Sequence, residues 1–475
     1  MLTQAVTVVV SAALVLVSPG AAASLSAGAP HDPSDPSSRS DPSAHCRHID
    51  RVDVPGAEVQ RSACLDDLTT ASTVDSGHTD PRDWAGLHAA DTTNPSGVPG
   101  IQVDGYFPDT STSNTQHAWN HDSQFVIRLP DRWNGGLVIT GAPGVRTQYA
   151  NDFIVSDWVL AQGYAFASTD KGNNGVKFYE DGRRPGDAIA EWNHRVTQLT
   201  LATKAVAKQR YGHLPTRTFM FGISNGGYLT RWQLENRPWL YDGGIDWEGT
   251  LFTPRTNVLN YLPTALRSYP AYAANGDAGA HEAMIRAGFA PGSEFLWQFD
   301  YGTYWDLTQR IYREELDPGY DGDLLAGVPF CEVGIPGCDA DYDLSTRPGT
   351  VQRAFRHISL TGRIGKPMLT LHGTLDALLP IGTDSDIYDA MIDRAHRGNL
   401  HRYYRIQDGN HVDGRYSAFP TQLRPMLPCA RTAFTALEQW TRSPHKAPPG
   451  DATITNPRSG DLLNTCSLGV RSSRP

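Results

Sequence analysis

The stretch RTFMFGISNGGYLTRW, residues 217–232, decides how this chain is read. The run Thr216–Gly222 is short, apolar and bounded by turn signals, which predicts a buried strand. Gly226–Arg237 carries its apolar residues at helical spacing. Between them lies Gly222-Ile223-Ser224-Asn225-Gly226, the pattern G-x-S-x-G. Glycines on both sides of a serine let the chain turn sharply and let a strand and a helix approach closely. A serine on such a strand-to-helix turn is displayed at the end of a sheet, where it can act as a nucleophile. The bland alternative is a small residue in a glycine-rich turn. Five-residue patterns also arise by chance, so the surroundings must decide.

Working outward, residues 123–130 (SQFVIRLP) and 135–144 (GGLVITGAPG) read as strands, the second ending in a glycine-rich loop. Residues 152–170 read as a helix, a break at Gly163 and a strand. Residues 191–212 form a long amphipathic helix that stops at Gly212, and GGIDWEGTLF follows the serine helix as another strand. Downstream, 366–373 is a strand, 383–395 a helix, 399–409 a strand and 425–441 a closing helix. Alternating strands and helices predict an α/β protein whose mostly parallel central sheet is flanked by helices. Residues 254–354 interrupt the alternation and concentrate Tyr261, Tyr269, Tyr272, Trp297, Tyr301, Tyr304, Trp305, Tyr312 and Tyr320. They predict an inserted, largely helical cap, some of whose rings line a substrate pocket while most simply pack.

A serine hydroxyl is a weak nucleophile at neutral pH and needs a base, which in turn needs an acid to fix its tautomer. Residues 371–380 (LHGTLDALLP) place Asp376 just past one strand, and residues 406–414 (IQDGNHVDG) place His411 just past the next. Ser224, Asp376 and His411 thus follow one another at strand ends of one sheet. Asp384 and Asp386 are the alternative acids, but they open a helix, where acidic residues serve as caps. His401 lies within a strand and His372 directly before the Asp376 loop, so neither occupies the expected place. An oxyanion needs two backbone donors. The amide of Asn225 is one candidate, and the GAPGVR loop offers the other at Gly144, with Ala142 and Val145 as alternatives. Asp170 and Lys171, at the end of a neighbouring strand, either touch substrate or pair with each other.

The chain has 475 residues, 39% hydrophobic and 19% charged, enough to build a large core. Its net charge of −10 comes with no dense Lys/Arg run, which excludes the basic surface that nucleic acid requires. The apolar run Ala5–Val17 followed by Ala21-Ala22-Ala23 predicts a signal peptide over 1–23, although no Lys or Arg precedes it; the alternative, a membrane anchor, needs a longer run, so no membrane partner is expected. Residues 24–45, rich in Pro, Ser and Asp, predict a disordered leader. The N-terminal part of the α/β core is expected over 46–253 and its C-terminal part over 355–442, with the cap over 254–354 and a disulfide-tied tail over 443–475. Six cysteines suit an exported protein, and short loops favour Cys46–Cys64, Cys331–Cys338 and Cys429–Cys466. No Cys or His cluster has metal-ligand spacing, so neither metal nor cofactor is expected.

GISNGG, LHGTLDALLP and DGNHVDG resemble the α/β-hydrolase superfamily of serine esterases across roughly residues 120–440. Together with ASTDKGNNG, the serine motif is similar to tannase/feruloyl esterases and to 3-hydroxybutyrate oligomer hydrolases. The resemblance implies an α/β-hydrolase fold and a secreted serine carboxylic-ester hydrolase with Ser224, Asp376 and His411 as its triad and a small or oligomeric ester as its partner. Tannase/feruloyl esterases carry a disulfide between cysteines just before the serine and just after the histidine. Here those positions are Ile223 and Val412, which leans the expectation toward hydroxyalkanoate or polyester-type substrates. A phenolic esterase is the alternative. A peptidase of the same superfamily would need acids to grip an amino terminus, with Glu282, Glu294, Glu314 and Glu315 as candidates. A hydrolase fold kept only for binding is the remaining reading.

Overall fold

The structure is a computed structural model that describes residues 52–72, 80–111, 114, 119–173, 175–320, 324–325, 328–329, 339–457 and 459–469. The expected signal peptide, leader, Cys46, Cys331 and Cys338 lie outside the described residues. Ten strands form one sheet in the order β1-β2-β3-β5-β4-β6-β7-β10-β11-β12. β1 (Val59–Leu65), β2 (Gly100–Tyr106) and β3 (Gln124–Pro130) are an antiparallel edge, and β3 also runs antiparallel to β5. From β4 (Gly136–Gly141) and β5 (Ala165–Thr169) onward every pairing is parallel. These strands are β6 (Arg217–Ile223), β7 (Gly243–Trp247), β10 (Met368–Gly373), β11 (His401–Ile406) and β12 (Ala452–Ile454).

Strand periodicity divides the apolar residues between two cores. Leu137, Ile139 and Met220 face a layer that includes Ile189, Trp192 and Val196 of α2 (Asp187–Tyr211). Val138, Phe219 and Phe221 face the other, with Leu160 of α1 (Asp157–Ala161) and Phe434 and Leu437 of α10 (Leu427–Arg442). Each fully buried Phe or Leu contributes about 2–3 kcal/mol, so both helical layers are held by the alternation itself. α2 ends at Gly212, whose φ of 82° supplies the left-handed cap that the sequence predicted. The Cys429–Cys466 disulfide ties the C-terminal segment to α10. Cys64 is disulfide-bonded as well.

α3 (Asn225–Asn236) leads from β6 to β7. Between β7 and β10 the chain makes α4 (Leu262–Asn275), α5 (Ala278–Arg286), α6 (Glu294–Asp300), α7 (Asp306–Leu316), the two-residue strands β8 (Leu324–Leu325) and β9 (Val328–Pro329), and α8 (Gly349–Ile358). α9 (Ser385–Arg394) then connects β10 to β11. The helical insertion reaches the sheet through polar anchors. Trp305 Nε1 donates to the Ala377 carbonyl at 2.8 Å, and the Tyr261 hydroxyl to that of Leu378 at 3.0 Å. Of the rings singled out in the sequence, Tyr261, Trp297, Trp305 and Tyr312 are buried. Among the described residues, no helix is long and apolar enough to cross a membrane.

Candidate active site

β6, β7, β10 and β11 are consecutive, parallel neighbours, so their C-terminal ends open on one edge of the sheet. Such an edge is where this architecture collects reacting groups. Ser224 follows β6, Glu248 follows β7, Asp376 lies just beyond β10, and His411 lies beyond β11.

The Ser224 turn is dictated by steric room. A Cβ on Gly222 would stand 2.0 Å from the Gly226 carbonyl oxygen, and one on Gly226 would stand 2.6 Å from the Gly141 oxygen. Only glycine lets the strand, the turn and α3 come this close. Ser224 takes φ 57° and ψ −122°, a backbone state that costs about 1–3 kcal/mol for a residue with a side chain. Surrounding bonds hold it there. Its amide donates to Trp247 O at 3.0 Å, and its carbonyl accepts from Tyr228 and Thr250 amides at 3.0 and 3.2 Å. Ile223 and Asn225 are buried while Ser224 keeps partial exposure. The hydroxyl is therefore displayed at the N-terminus of α3, where helix dipole and unpaired amides favour negative charge.

The Asp376 turn is instead assembled by polar bonds. One oxygen accepts the amides of Leu378 and Leu379, each at 2.8 Å. The other accepts His411 Nδ1–H at 2.8 Å and lies 3.2 Å from His372 Nε2. Burial alone would raise the Asp376 carboxyl, but the charge of His411 and hydrogen bonds from both histidines hold it well below the usual carboxylate range. Burial would lower His411, yet Asp376 and the nearby Asp300 and Asp384 push it above the ordinary imidazole value. With Nδ1 committed as donor, Nε2 is the basic nitrogen. Among the described residues, no hydrogen bond joins the Ser224 hydroxyl to His411; apo geometry at such pairs is commonly loose.

The two oxyanion candidates are tied together. Asn225 Nδ2 donates to the Gly144 carbonyl at 3.1 Å, while Asn225 Oδ1 accepts from Thr250 Oγ1 at 3.0 Å and from the Tyr312 hydroxyl of α7 at 2.8 Å. The amides of Asn225, Gly144 and Val145 have no partner among the described residues, which leaves them able to receive an anion. Ala142 is corrected here. Its amide donates to Thr169 O at 2.9 Å and is spent on the sheet. Lys171 feels the charge of Asp170 but spends its hydrogen bonds on a loop. Its Nζ donates to the carbonyls of Ala142 and Gly144 at 2.7 and 3.2 Å and so braces the same loop. Asp170 accepts the Gly172 amide at 2.8 Å.

Other sequence expectations change too. Asp384 does not cap α9 through its side chain. It pairs with Arg231 Nη1 at 2.7 Å and accepts the Leu251 amide at 2.7 Å. Arg231, fully buried, also bonds Asp246 at 2.7 Å and Ser385 Oγ at 2.8 Å, and Ser385 in turn meets His372 Nδ1 at 2.7 Å. His372 Nε2 donates to Leu379 O at 2.8 Å. His372 is therefore a brace for the Asp376 turn, and a chain of bonds runs from Arg231 to His411. His401 contacts Asp389 and Thr370, and Thr370 in turn donates to Asp246, so His401 joins the Arg231 end of this chain and not the His411 end. The four acids weighed for an amino-terminus grip are engaged elsewhere. Glu315 caps α2 through the Ala188 and Ile189 amides, and Glu282, Glu294 and Glu314 pair with Arg286, His281 and Arg313.

Sequence reasoning missed Glu248. The chain from Gly243 was read as one strand to Phe252, but β7 ends at Trp247 and Glu248 adopts φ 50°, which turns its side chain inward. Its Oε1 accepts the Gly373 amide at 2.6 Å, and Oε2 stands 3.4 Å from His411 Nδ1. The signal was available: an acid directly past a strand end on the edge that carries Asp376. Glu248, Asp376 and His411 place one donor atom each within 4.8 Å of one another, the only such trio found among the described residues. The imidazole atom facing both acids is Nδ1, already held as a proton donor, so the trio reads as a proton-handling group.

The family described as "Tannase and feruloyl esterase" matches residues 110–304, which include the Ser224 turn. No curated protein matches the sequence. Among solved structures, feruloyl esterase B from Aspergillus oryzae is 13% identical with a TM-score of 0.51, over 84% of this chain and 90% of that one. An esterase from Aspergillus oryzae is 14% identical with a TM-score of 0.49, covering 83% and 88%. Tannin acyl hydrolase from Aspergillus niger is 14% identical with a TM-score of 0.45, covering 81% and 83%. The first likeness, with the strand order described above, establishes the α/β-hydrolase fold.

Proposed function

We propose that this carboxylic-ester hydrolase of α/β-hydrolase fold works as a serine esterase through an acyl-enzyme. The observation that carries the reading is one sheet edge that carries a strained Ser224 past β6 and, past β10 and β11, an Asp376–His411 pair bonded at 2.8 Å. In the proposed reaction, His411 Nε2 takes the Ser224 proton as Oγ attacks the ester carbonyl. The amides of Asn225 and Gly144 receive the oxyanion. The tetrahedral intermediate collapses, and the imidazolium protonates the departing alcohol. Water, deprotonated by the same nitrogen, then attacks the acyl-serine and frees the acid. Asp376 stabilises the imidazolium in both halves and stays ionised throughout.

For the substrate, the family match across the serine turn supports esters of aromatic acids such as feruloyl or galloyl esters. The helical insertion, read here as a cap, brings aromatic surface to this edge. Phe295 and Phe299 pack on Phe419, and Phe299 also lies under the Arg415 guanidinium at 4.1 Å. A second reading, hydroxyalkanoate oligomers, is supported by Ile223 and Val412. Both belong to one apolar layer where tannase/feruloyl esterases place a disulfide. Export is part of the proposal, supported by the disulfide between Cys429 and Cys466 and the apolar N-terminal run.

The test is hydrolysis of methyl ferulate, methyl gallate, hydroxybutyrate dimers and a peptidyl amide by the wild type and by Ser224→Ala. Ester turnover is expected to fall roughly 10⁴-fold or more in the variant. Equal turnover would remove Ser224 from the mechanism. Turnover of the peptidyl amide alone would replace the esterase reading with a peptidase.

A further inference from the structure

The mechanism above uses one acid, yet two carboxyl groups face the same imidazole nitrogen. Asp376 reaches His411 Nδ1 from beyond β10 and Glu248 reaches it from beyond β7, at 2.8 and 3.4 Å. Glu248 is fully buried, and its Oε2 has no hydrogen-bond partner among the described residues. An unpaired buried carboxyl oxygen is costly unless it has a task. Oε1 alone satisfies the Gly373 amide, so that bond does not require the second oxygen. Resting on the serine-esterase reading, we propose that Glu248 is a second acid for His411, a positioning residue that takes over the anchoring of Nδ1 when the Asp376 carboxylate is lost.

The division of labour follows from the bonds each group receives. Two carboxylates this close in a dry site cannot both be ionised at little cost, so one of them holds a proton. Asp376 collects two backbone amides and two imidazole nitrogens, and Glu248 collects one amide. The negative charge belongs on Asp376 and the proton on Glu248. Burial, with Asp376 next, accordingly pushes the Glu248 carboxyl well above its ordinary value. The other charged groups near Glu248 are engaged: Asp246 is bonded to Arg231, and Asp413 accepts the Met426 and Leu427 amides. His372 touches Asp376, while Asp300 and Asp384 act on His411 from α6 and the start of α9. Removing the Asp376 charge therefore removes the nearest group that keeps Glu248 protonated. Burial still opposes a charge on Glu248, but an imidazolium with no other acid on Nδ1 favours the ionised form, which becomes the acceptor for Nδ1–H.

The test is a double-mutant cycle of Asp376→Asn and Glu248→Gln, with kcat/KM measured against pH on the best ester and Ser224→Ala run beside them. The Gln variant keeps an oxygen for the Gly373 amide. With a single acid, the Asn change drops kcat about 10⁴-fold. Here Asp376→Asn is expected to lose only about 10²-fold, and Glu248→Gln alone less than about 5-fold. The double variant is expected to lose roughly 10⁴-fold, far more than the product of the two. The pH midpoint of the ascending limb should fall from wild type to Asp376→Asn and fall again in the double variant. A merely structural Glu248 would leave that last step unmoved. If Glu248→Gln costs the same factor in both backgrounds, with no further midpoint shift, the proposal is overturned. Should the Gln variant fail to fold, Glu248→Asp keeps the carboxyl but withdraws it from Nδ1, and the same cycle reads the same coupling. Activity surviving in Ser224→Ala would sink the esterase mechanism itself, whatever the cycle returns.

Discussion

Two turns on the same sheet edge are built by different forces. The Ser224 turn is a matter of space. Gly222 and Gly226 let backbone meet backbone, and the serine is forced into a conformation that most residues avoid. The Asp376 turn is a matter of charge. Amides, two histidines and, behind them, Arg231 surround one carboxylate in a dry pocket. The first kind of construction is written in adjacent residues; the second is spread over β7, α3, β10 and α9. The nucleophile proposed at Ser224 needs a fixed position, which local sterics supply. The proton relay proposed at Asp376 and His411 needs a tuned field, which only groups from several elements can supply.

The largest separation between the turns should come from Arg231→Met. Arg231 is fully buried and balances Asp246 and Asp384. Its removal leaves both acids short of a positive partner, at a cost of about 3–5 kcal/mol. Chemical denaturation should read that loss, and the variant that still folds should show a disturbed His411 titration with an unchanged serine turn. A loss under ~1 kcal/mol would contradict the role given to this centre. Gly222→Ala attacks the other turn. Its Cβ would meet the Gly226 carbonyl group at 2.0–2.2 Å, backbone that cannot yield without moving α3. About 3 kcal/mol of stability should be lost, and activity should fall with it. The smallest effect is on acidity. As the proposed base, His411 must be neutral to accept a proton, and its surroundings raise its pKa. The rate should therefore rise with pH around a midpoint above the ordinary value of about 6.5. A kcat/KM profile with its midpoint at about 6 or below would show that Asp376 does not hold the imidazolium as described.

The difference between the turns also explains what the sequence disclosed. β4, β6, α2 and α3 were legible because an apolar run or a helical period lies within each segment, and the Ser224 turn because its glycines are neighbours in the chain. Asp376 and His411 were legible from their places past strand ends. β1, with the mixed run Val59-Gln60-Arg61-Ser62, has no such pattern and owes its existence to pairing with β2. Glu248 was hidden inside an apolar-looking run because the chain bends there through a positive φ that nothing local announces. His372 was passed over since its role depends on Ser385 and Leu379, and Asp384 was taken for a helix cap since its partner Arg231 is remote in sequence. Local sterics can be read from a string; a field assembled from distant groups cannot.

The central claim is that Ser224 is the nucleophile and His411 its base. The most direct measurement is labelling of the full chain with a fluorophosphonate, followed by peptide mass spectrometry and residual ester hydrolysis. One adduct per chain is expected, on Ser224, with hydrolysis lost in proportion to labelling and the adduct strongly suppressed in His411→Ala. An adduct on a different residue that accompanies the loss of hydrolysis, or full hydrolysis by protein labelled at Ser224, would contradict the claim.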